Sequence, residues 1–194
     1  MAAIGSVCVY CGSSVGANPR HAEAARQLGR GLAEGGLRLI YGGGRVGLMG
    51  VVADAVLAAG GQAIGVIPEH LEAKEVGHRG ISELRVVGSM HERKTVMFQL
   101  ADAFVILPGG FGTLDEAFEM LTWRQLRLHD KPIVFLDVEG YWMPFEAIVE
   151  HFIREGFARE NSRDLFAVVR DVEAVIPTLL RQPAPTVPDA IRRL

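Results

Sequence analysis

Short β-rich runs alternate with longer helical runs along this chain, and two of the strand-to-helix junctions are glycine loops. This alternation limits the fold more than any other feature. Strand, helix and strand in succession make βαβ units, which assemble into a mostly parallel, doubly wound sheet with helices on both faces. The pattern predicts strands over 4–10, 37–41, 62–67, 83–87, 103–107, 132–137 and 165–169, so a sheet of six to seven strands. Helices are expected over 19–34, 47–59, 89–100, 113–128, 144–155 and 171–180. Asn18 followed by Pro19 reads as an N-cap with proline at the first helical position. Gly35-Gly36 reads as the end of that helix. The polar stretch 69–82 reads as a mobile loop with little regular structure, and Pro68 as the close of the third strand.

The 194 residues suit one α/β domain over 1–181, followed by a proline-rich tail over 182–194. Apolar residues make up 49% and charged residues 22%, which excludes wholesale disorder. A net charge of −3 gives no general field for nucleic acid, so no nucleic-acid partner is expected. Apolar runs fall well short of the roughly 20 residues that a membrane span needs, and no membrane partner is expected. The N-terminus lacks a basic region ahead of its apolar stretch and is not read as a signal peptide. With 2 cysteines there is no disulfide framework, and the expected compartment is the reducing cytoplasm.

In such sheets, ligands bind outside the carboxyl ends of the strands, near a topological switch point. Both glycine loops sit there. Gly42-x-Gly44-x-x-Gly47 matches the dinucleotide fingerprint, since glycines let the backbone approach a phosphate at a helix N-terminus. The acidic residue that such a site needs about 20 residues on would be Glu69, which follows Pro68, beyond the strand. A phosphate contact, a dinucleotide site and a purely structural tight turn all fit this loop. The second loop, Pro108-Gly109-Gly110-Phe111-Gly112-Thr113, has three glycines to form an anion nest, and the Thr113 hydroxyl can add a donor. Two such loops in one small sheet suggest a single phosphorylated ligand that spans both.

Thr113-x-x-Glu116 has the spacing of a capping box, in which the two side chains satisfy backbone donors reciprocally. Spacing alone favours that reading of Glu116. Glu119 shares a helix face with Glu116, so the two carboxylates fit acid–base work as well as a solvated stripe. Ser89-x-x-Glu92 is a second capping-box candidate. Arg93 and Lys94 follow it in the first turns of a helix, where positive charge opposes the helix dipole. That placement suggests an anionic partner, either a ligand phosphate or a carboxylate such as Glu116, against the alternative of a surface pair.

Cys8-x-x-Cys11 lacks the second pair of a zinc site and lies in a strand rather than at a helix N-terminus, so both cysteines read as buried and inert. The histidines show no ligand spacing, and only His91, beside Arg93-Lys94, is a candidate. Met120 and Trp123 read as core packing or a subunit contact, with base stacking as the alternative. No metal and no cofactor is expected.

Arg93-Lys94 followed by PGGFGTLDE resembles the Lonely Guy family, whose hallmark is an arginine upstream of PGGxGTxxE. The likeness extends over CVYCGSS, YGGGRVGLMG, SMHERK and the segment through Trp123-Arg124-Gln125-Leu126, with no departure at the motif positions. It implies a Rossmann-like fold, a homodimer, and a phosphoribohydrolase that splits cytokinin riboside 5′-monophosphates, and in many members AMP, into free base and ribose 5-phosphate. A non-catalytic nucleotide-binding protein would use the same glycine loops and is the alternative. Family members have often been labelled lysine decarboxylases, but no lysine here stands out as a Schiff-base site for pyridoxal phosphate.

Carried over by the resemblance, Arg93 and Glu116 are the catalytic pair. The nucleotide contacts fall on Ser14, Gly43, Gly44, Met90, Lys94, Gly110, Gly112, Thr113 and Glu119. Glu116 is then expected to stabilise positive charge on the ribose, with Arg93 keeping it ionised as an opposite charge does. The apolar helices agree with the implied dimer.

Overall fold

The computed structural model describes residues 4–72 and 77–182. Seven parallel strands form one sheet: β1 (Ser6–Tyr10), β2 (Arg38–Tyr41), β3 (Ala63–Pro68), β4 (Glu83–Val87), β5 (Ala103–Ile106), β6 (Ile133–Leu136) and β7 (Ala167–Val169). Their spatial order is β4-β3-β2-β1-β5-β6-β7. The chain therefore builds outward from β1 in one direction, then returns and builds outward in the other. The switch point lies between β1 and β5, which pair with Val7 beside Ala103 and Tyr10 beside Ile106.

Helices cover both faces because a right-handed crossover reverses face when strand order reverses. On one face, α1 (Pro19–Glu34), α2 (Gly47–Ala58) and α7 (Val175–Arg181) bury Leu28, Leu32, Val52, Val56, Val175 and Leu179. On the other, α4 (Met90–Leu100), α5 (Phe111–Gln125) and α6 (Met143–Arg154) bury Met97, Phe98, Ala117, Met120, Phe145 and Val149. Gly29 lets α1 and α2 meet closely, since a Cβ there would lie 2.5 Å from the Val52 carbonyl oxygen.

Most predicted boundaries hold to within a residue or two. Asn18 accepts a hydrogen bond from Arg20 N at 2.9 Å, with Pro19 opening α1. Ser89 Oγ accepts from Glu92 N at 3.1 Å and caps α4, while Glu92 reaches back one residue further than in a capping box, accepting from Gly88 N at 2.8 Å. Pro68 closes β3 as its last residue, paired with Val87. Two expectations need correction. The polar stretch begins with one helical turn, α3 (Glu69–Glu72), and 73–76 lie outside the described residues. The predicted 171–180 helix is a 3₁₀ turn, Val172–Ala174, followed by α7, and a second 3₁₀ turn, Glu160–Leu165, precedes β7. Of the expected tail, 183–194 lie outside the described residues. No described helix is long and apolar enough to cross a membrane.

Candidate active site

Because the sheet is parallel, every strand delivers its following loop to the same edge. At the switch point the loop after β1 touches both glycine loops. Gly12 N donates to Pro108 O at 3.0 Å, and Leu48 N donates to Gly12 O at 3.0 Å. Gly43 and Gly47 have left-handed backbones, φ 76° and 63°. A Cβ on Gly47 would overlap the Ser13–Ser14 peptide, so only glycine admits this approach. Ser14 is thus brought beside the first glycine loop; its hydroxyl accepts from Gly16 N at 3.2 Å. Gly43 and Gly44 are held from outside by the 77–80 segment. Gly44 bridges Gly77, and His78 N donates to Gly43 O at 2.9 Å. His78 Nε2 meets Asp54 Oδ1 of α2 at 2.9 Å.

The second loop differs in where its space lies. Gly109 is enclosed, since a Cβ there would overlap Thr113 Oγ1 and lie 2.9 Å from Gly12 N. Gly110 and Gly112 face open space, where a Cβ would meet nothing within 4 Å. Phe111 between them is 95% exposed. Thr113 is buried, its hydroxyl against Gly109. Helix α5 begins at Phe111 with Gly110 as N-cap and no side-chain cap, leaving its first backbone amides unsatisfied beside that space. The capping-box reading of Thr113 and Glu116 fails on this start. Thr113 is already the third helical residue, and Glu116 lies a turn deeper, too far along to reach the helix end.

Glu116 is buried and instead faces Arg93, with Oε1 3.7 Å from Nη1. Arg93 is equally buried. Its Nε donates to Val66 O at 3.1 Å and its Nη2 to Gly42 O at 3.2 Å, and Met90 Sδ lies 3.9 Å from Nη1. Val66 lies in the carboxyl half of β3 and Gly42 directly follows β2, so two backbone carbonyls and one carboxylate compensate the buried guanidinium. Lys94 pairs with Asp115 Oδ2 and Glu119 Oε2, both at 3.2 Å. Burial alone would lower the Lys94 pKa, but its bonds to Glu119 and Asp115 outweigh this and raise it. The two cations that oppose the α4 dipole therefore find their anions at the start of α5.

Sequence reasoning brought together Arg93 with Glu116, but named Lys94 and Glu119 only as separate nucleotide contacts, whereas the structure pairs them. It missed the carbonyls of Gly42 and Val66, which no side-chain pattern signals. It also missed Asp115, although the 115–119 spacing puts it on the face of Glu119. His91 is exposed on the first turn of α4, and Trp123 packs edge-on against Phe98, at 5.2 Å between centroids. Cys8 and Cys11 lie in the cores on opposite faces of the sheet, as their odd spacing in a strand requires. Burial, then the charge of Glu116, raises both thiol pKa values, so both stay protonated. Among the described residues no three His, Cys, Asp or Glu side chains are grouped to hold a metal. Lys94 is doubly ion-paired with a raised pKa, and so does not resemble a Schiff-base nucleophile, which needs a lowered one. Lys131 Nζ is buried, donating to Phe98 O at 2.9 Å.

Comparison with known proteins shows the family. Residues 49–179 match the family described as "Possible lysine decarboxylase". A cytokinin riboside 5′-monophosphate phosphoribohydrolase of Rhodococcoides fascians is 46% identical over 175 residues, spanning 90% of this chain and 88% of that protein. The rice enzyme of that name, LOG, is 47% identical over 157 residues, spanning 81% of this chain and 65% of that protein. Among solved structures, the Moco carrier protein from Chlamydomonas reinhardtii aligns with a TM-score of 0.67 at 22% identity, covering 92% of this chain and 98% of that one. The molybdenum cofactor binding protein from Rippkaea orientalis aligns with a TM-score of 0.68 at 22% identity, covering 91% and 96%. At that identity the two structures show a shared fold alone. With 46–47% identity across most of its length, and with the buried Arg93–Glu116 pair set beside an open glycine nest, the chain belongs to the Lonely Guy family of phosphoribohydrolases.

Proposed function

We propose that the protein hydrolyses the N-glycosidic bond of nucleoside 5′-monophosphates, cytokinin riboside 5′-monophosphates or AMP, to the free base and ribose 5-phosphate. The observation that carries this reading is the buried Glu116 carboxylate, 3.7 Å from Arg93, one helical turn below the open amides that start α5. A protein that only bound nucleotides would gain nothing from a carboxylate placed there, where it repels phosphate.

Phosphate sits on the amides of Gly110 to Thr113, where the α5 dipole favours an anion. Lys94 and the Gly43-Gly44 loop assist, and Ser14 and Met90 border the nucleotide. Anchoring the phosphate supplies positional binding energy to the reacting sugar. As the C1′–N bond breaks, its electron pair leaves with the base and positive charge builds on the ribose. Glu116 stabilises that charge and orients the water, whose hydroxyl adds to C1′ while its remaining proton neutralises the departing base. Arg93 holds Glu116 in place and balances its charge, and Glu119 holds Lys94. No metal or cofactor takes part in this scheme. The protein acts in the cytoplasm as a homodimer, a reading supported by the exposed Met143, Ile148 and Phe152 along α6.

Chromatographic detection of released base tests the proposal, with AMP and isopentenyladenosine 5′-monophosphate as parallel substrates. Release is expected from at least one, with kcat falling about 100-fold or more in Glu116→Gln and in Arg93→Ala. Absence of release by the folded protein from both nucleotides would leave the binding-protein alternative. Hydrolysis of adenosine as fast as AMP would remove the phosphate anchor.

A further inference from the structure

The cleft at the switch point has a wall that neither glycine loop supplies. It encloses about 470 Å³ and is lined by the loop after β1, by Pro108, Gly109 and Gly110, by His21 of α1, and by Tyr141 from the loop after β6. Tyr141 donates its hydroxyl to Gly109 O at 2.6 Å. That carbonyl belongs to the peptide joining Gly109 to Gly110, the N-cap of α5. The described peptides are all trans, so the carbonyl and the Gly110 N–H point in opposite directions. Fixing one fixes the other. Glycine on both sides leaves this peptide cheap to rotate, and no side chain of its own restrains it.

The loop that carries Tyr141 is itself tightly set. Trp142 N donates to Asp137 Oδ1 at 2.7 Å, and Tyr141 N donates to Val138 O at 3.2 Å. Glu139 and Gly140 both take left-handed backbones, φ 56° and 78°. For glutamate that conformation costs about 1 kcal/mol or more and persists only where the surroundings impose it. The ring is fixed edge-on by His21 and by Trp142, with centroids 5.3 and 4.9 Å away. A strained turn thus delivers one rigid donor to one glycine carbonyl.

We propose that Tyr141 is a positioning residue for phosphate: by holding the Gly109 carbonyl it sets the Gly109–Gly110 peptide, and with it the first amide of the nest at α5. The inference rests on the placement of phosphate on this loop in the function proposed above.

Titration calorimetry of ribose 5-phosphate and of adenine, on the full chain and on Tyr141→Phe, tests it. The variant keeps the ring and its contacts and removes only the donor. Ribose 5-phosphate is expected to bind about tenfold more weakly, the size of one lost hydrogen bond, while adenine affinity and thermal midpoint stay unchanged. With AMP as substrate, KM should rise by a similar factor and kcat stay within about twofold. Equal affinity of both proteins for ribose 5-phosphate would overturn the proposal. So would an equal loss for ribose 5-phosphate and adenine, which marks general loosening, or a full chain that binds no ribose 5-phosphate. A full chain that binds ribose 5-phosphate, shows the expected loss in Tyr141→Phe, yet cleaves no nucleotide would overturn the hydrolase reading and leave this one standing.

Discussion

Gly42 and Gly110 lie in the two glycine loops for different reasons, and an added methyl separates them. At Gly42 a Cβ would overlap Arg93 Nη2 and lie 3.0 Å from Met49 Sδ. The guanidinium is the end of a long side chain and can move, so Gly42→Ala should leave the fold intact. It should displace Arg93 from Glu116 and lower kcat at least tenfold, with the thermal midpoint falling by several degrees as the buried guanidinium loses its partners. At Gly110 a Cβ meets nothing, so Gly110→Ala should melt like the parent. Its KM for AMP should still rise several-fold, because the methyl enters the space assigned to phosphate. An unchanged KM in Gly110→Ala would move the phosphate off this loop. The sequence shows four glycines over 42–47 and three over 108–113, but not which of them face a neighbour and which face a ligand. Glu116 was misleading for a similar reason. Its spacing from Thr113 satisfies a capping box, and only the start of α5 two residues earlier removes that reading.

At the scale of elements, α4 and α5 are joined through charges that each helix alone carries badly. Arg93 and Lys94 oppose the α4 dipole, and that misfit in the sequence pointed correctly to anionic partners. The partners are Glu116, Asp115 and Glu119 on α5, although Arg93 also needs two backbone carbonyls 51 and 27 residues away in sequence. Contacts over such separations depend on strand order, which no local pattern reveals. Lys94 and Glu119 are both largely shielded from water, so the pair should couple more strongly than an exposed one. A double-mutant cycle of Lys94→Met and Glu119→Gln, read by urea denaturation, should give a coupling of about 1–2 kcal/mol. Additive effects would show that Lys94 is held by Asp115 alone. Ser89 and Asn18, by contrast, were readable at once, because an N-cap bonds within its own few residues.

The whole molecule is two half-sheets meeting at β1 and β5, and alternation of strands and helices was enough to predict its class. Strand order, the switch point and the entry of the β6–α6 loop into the cleft were not legible, because each depends on which faces pair in space. One contact across that junction is open to titration. His21 of α1 is buried against Gly16, with a Cβ there 2.8 Å from Nδ1, and its ring meets Tyr141 from the other half. Burial lowers its pKa below 6.5. A histidine depressed in the folded state binds fewer protons than in the unfolded state, between the folded value and 6.5. Stability therefore rises with pH across that window and is lost as pH falls below 6.5. Chemical denaturation from pH 7.5 downward should show the parent's midpoint declining from about pH 6.5. His21→Gln, which carries no titrating ring, should decline less steeply over the same interval. Identical slopes in the two proteins would show that the charged imidazole is tolerated at the junction and that the acid sensitivity of the fold lies elsewhere.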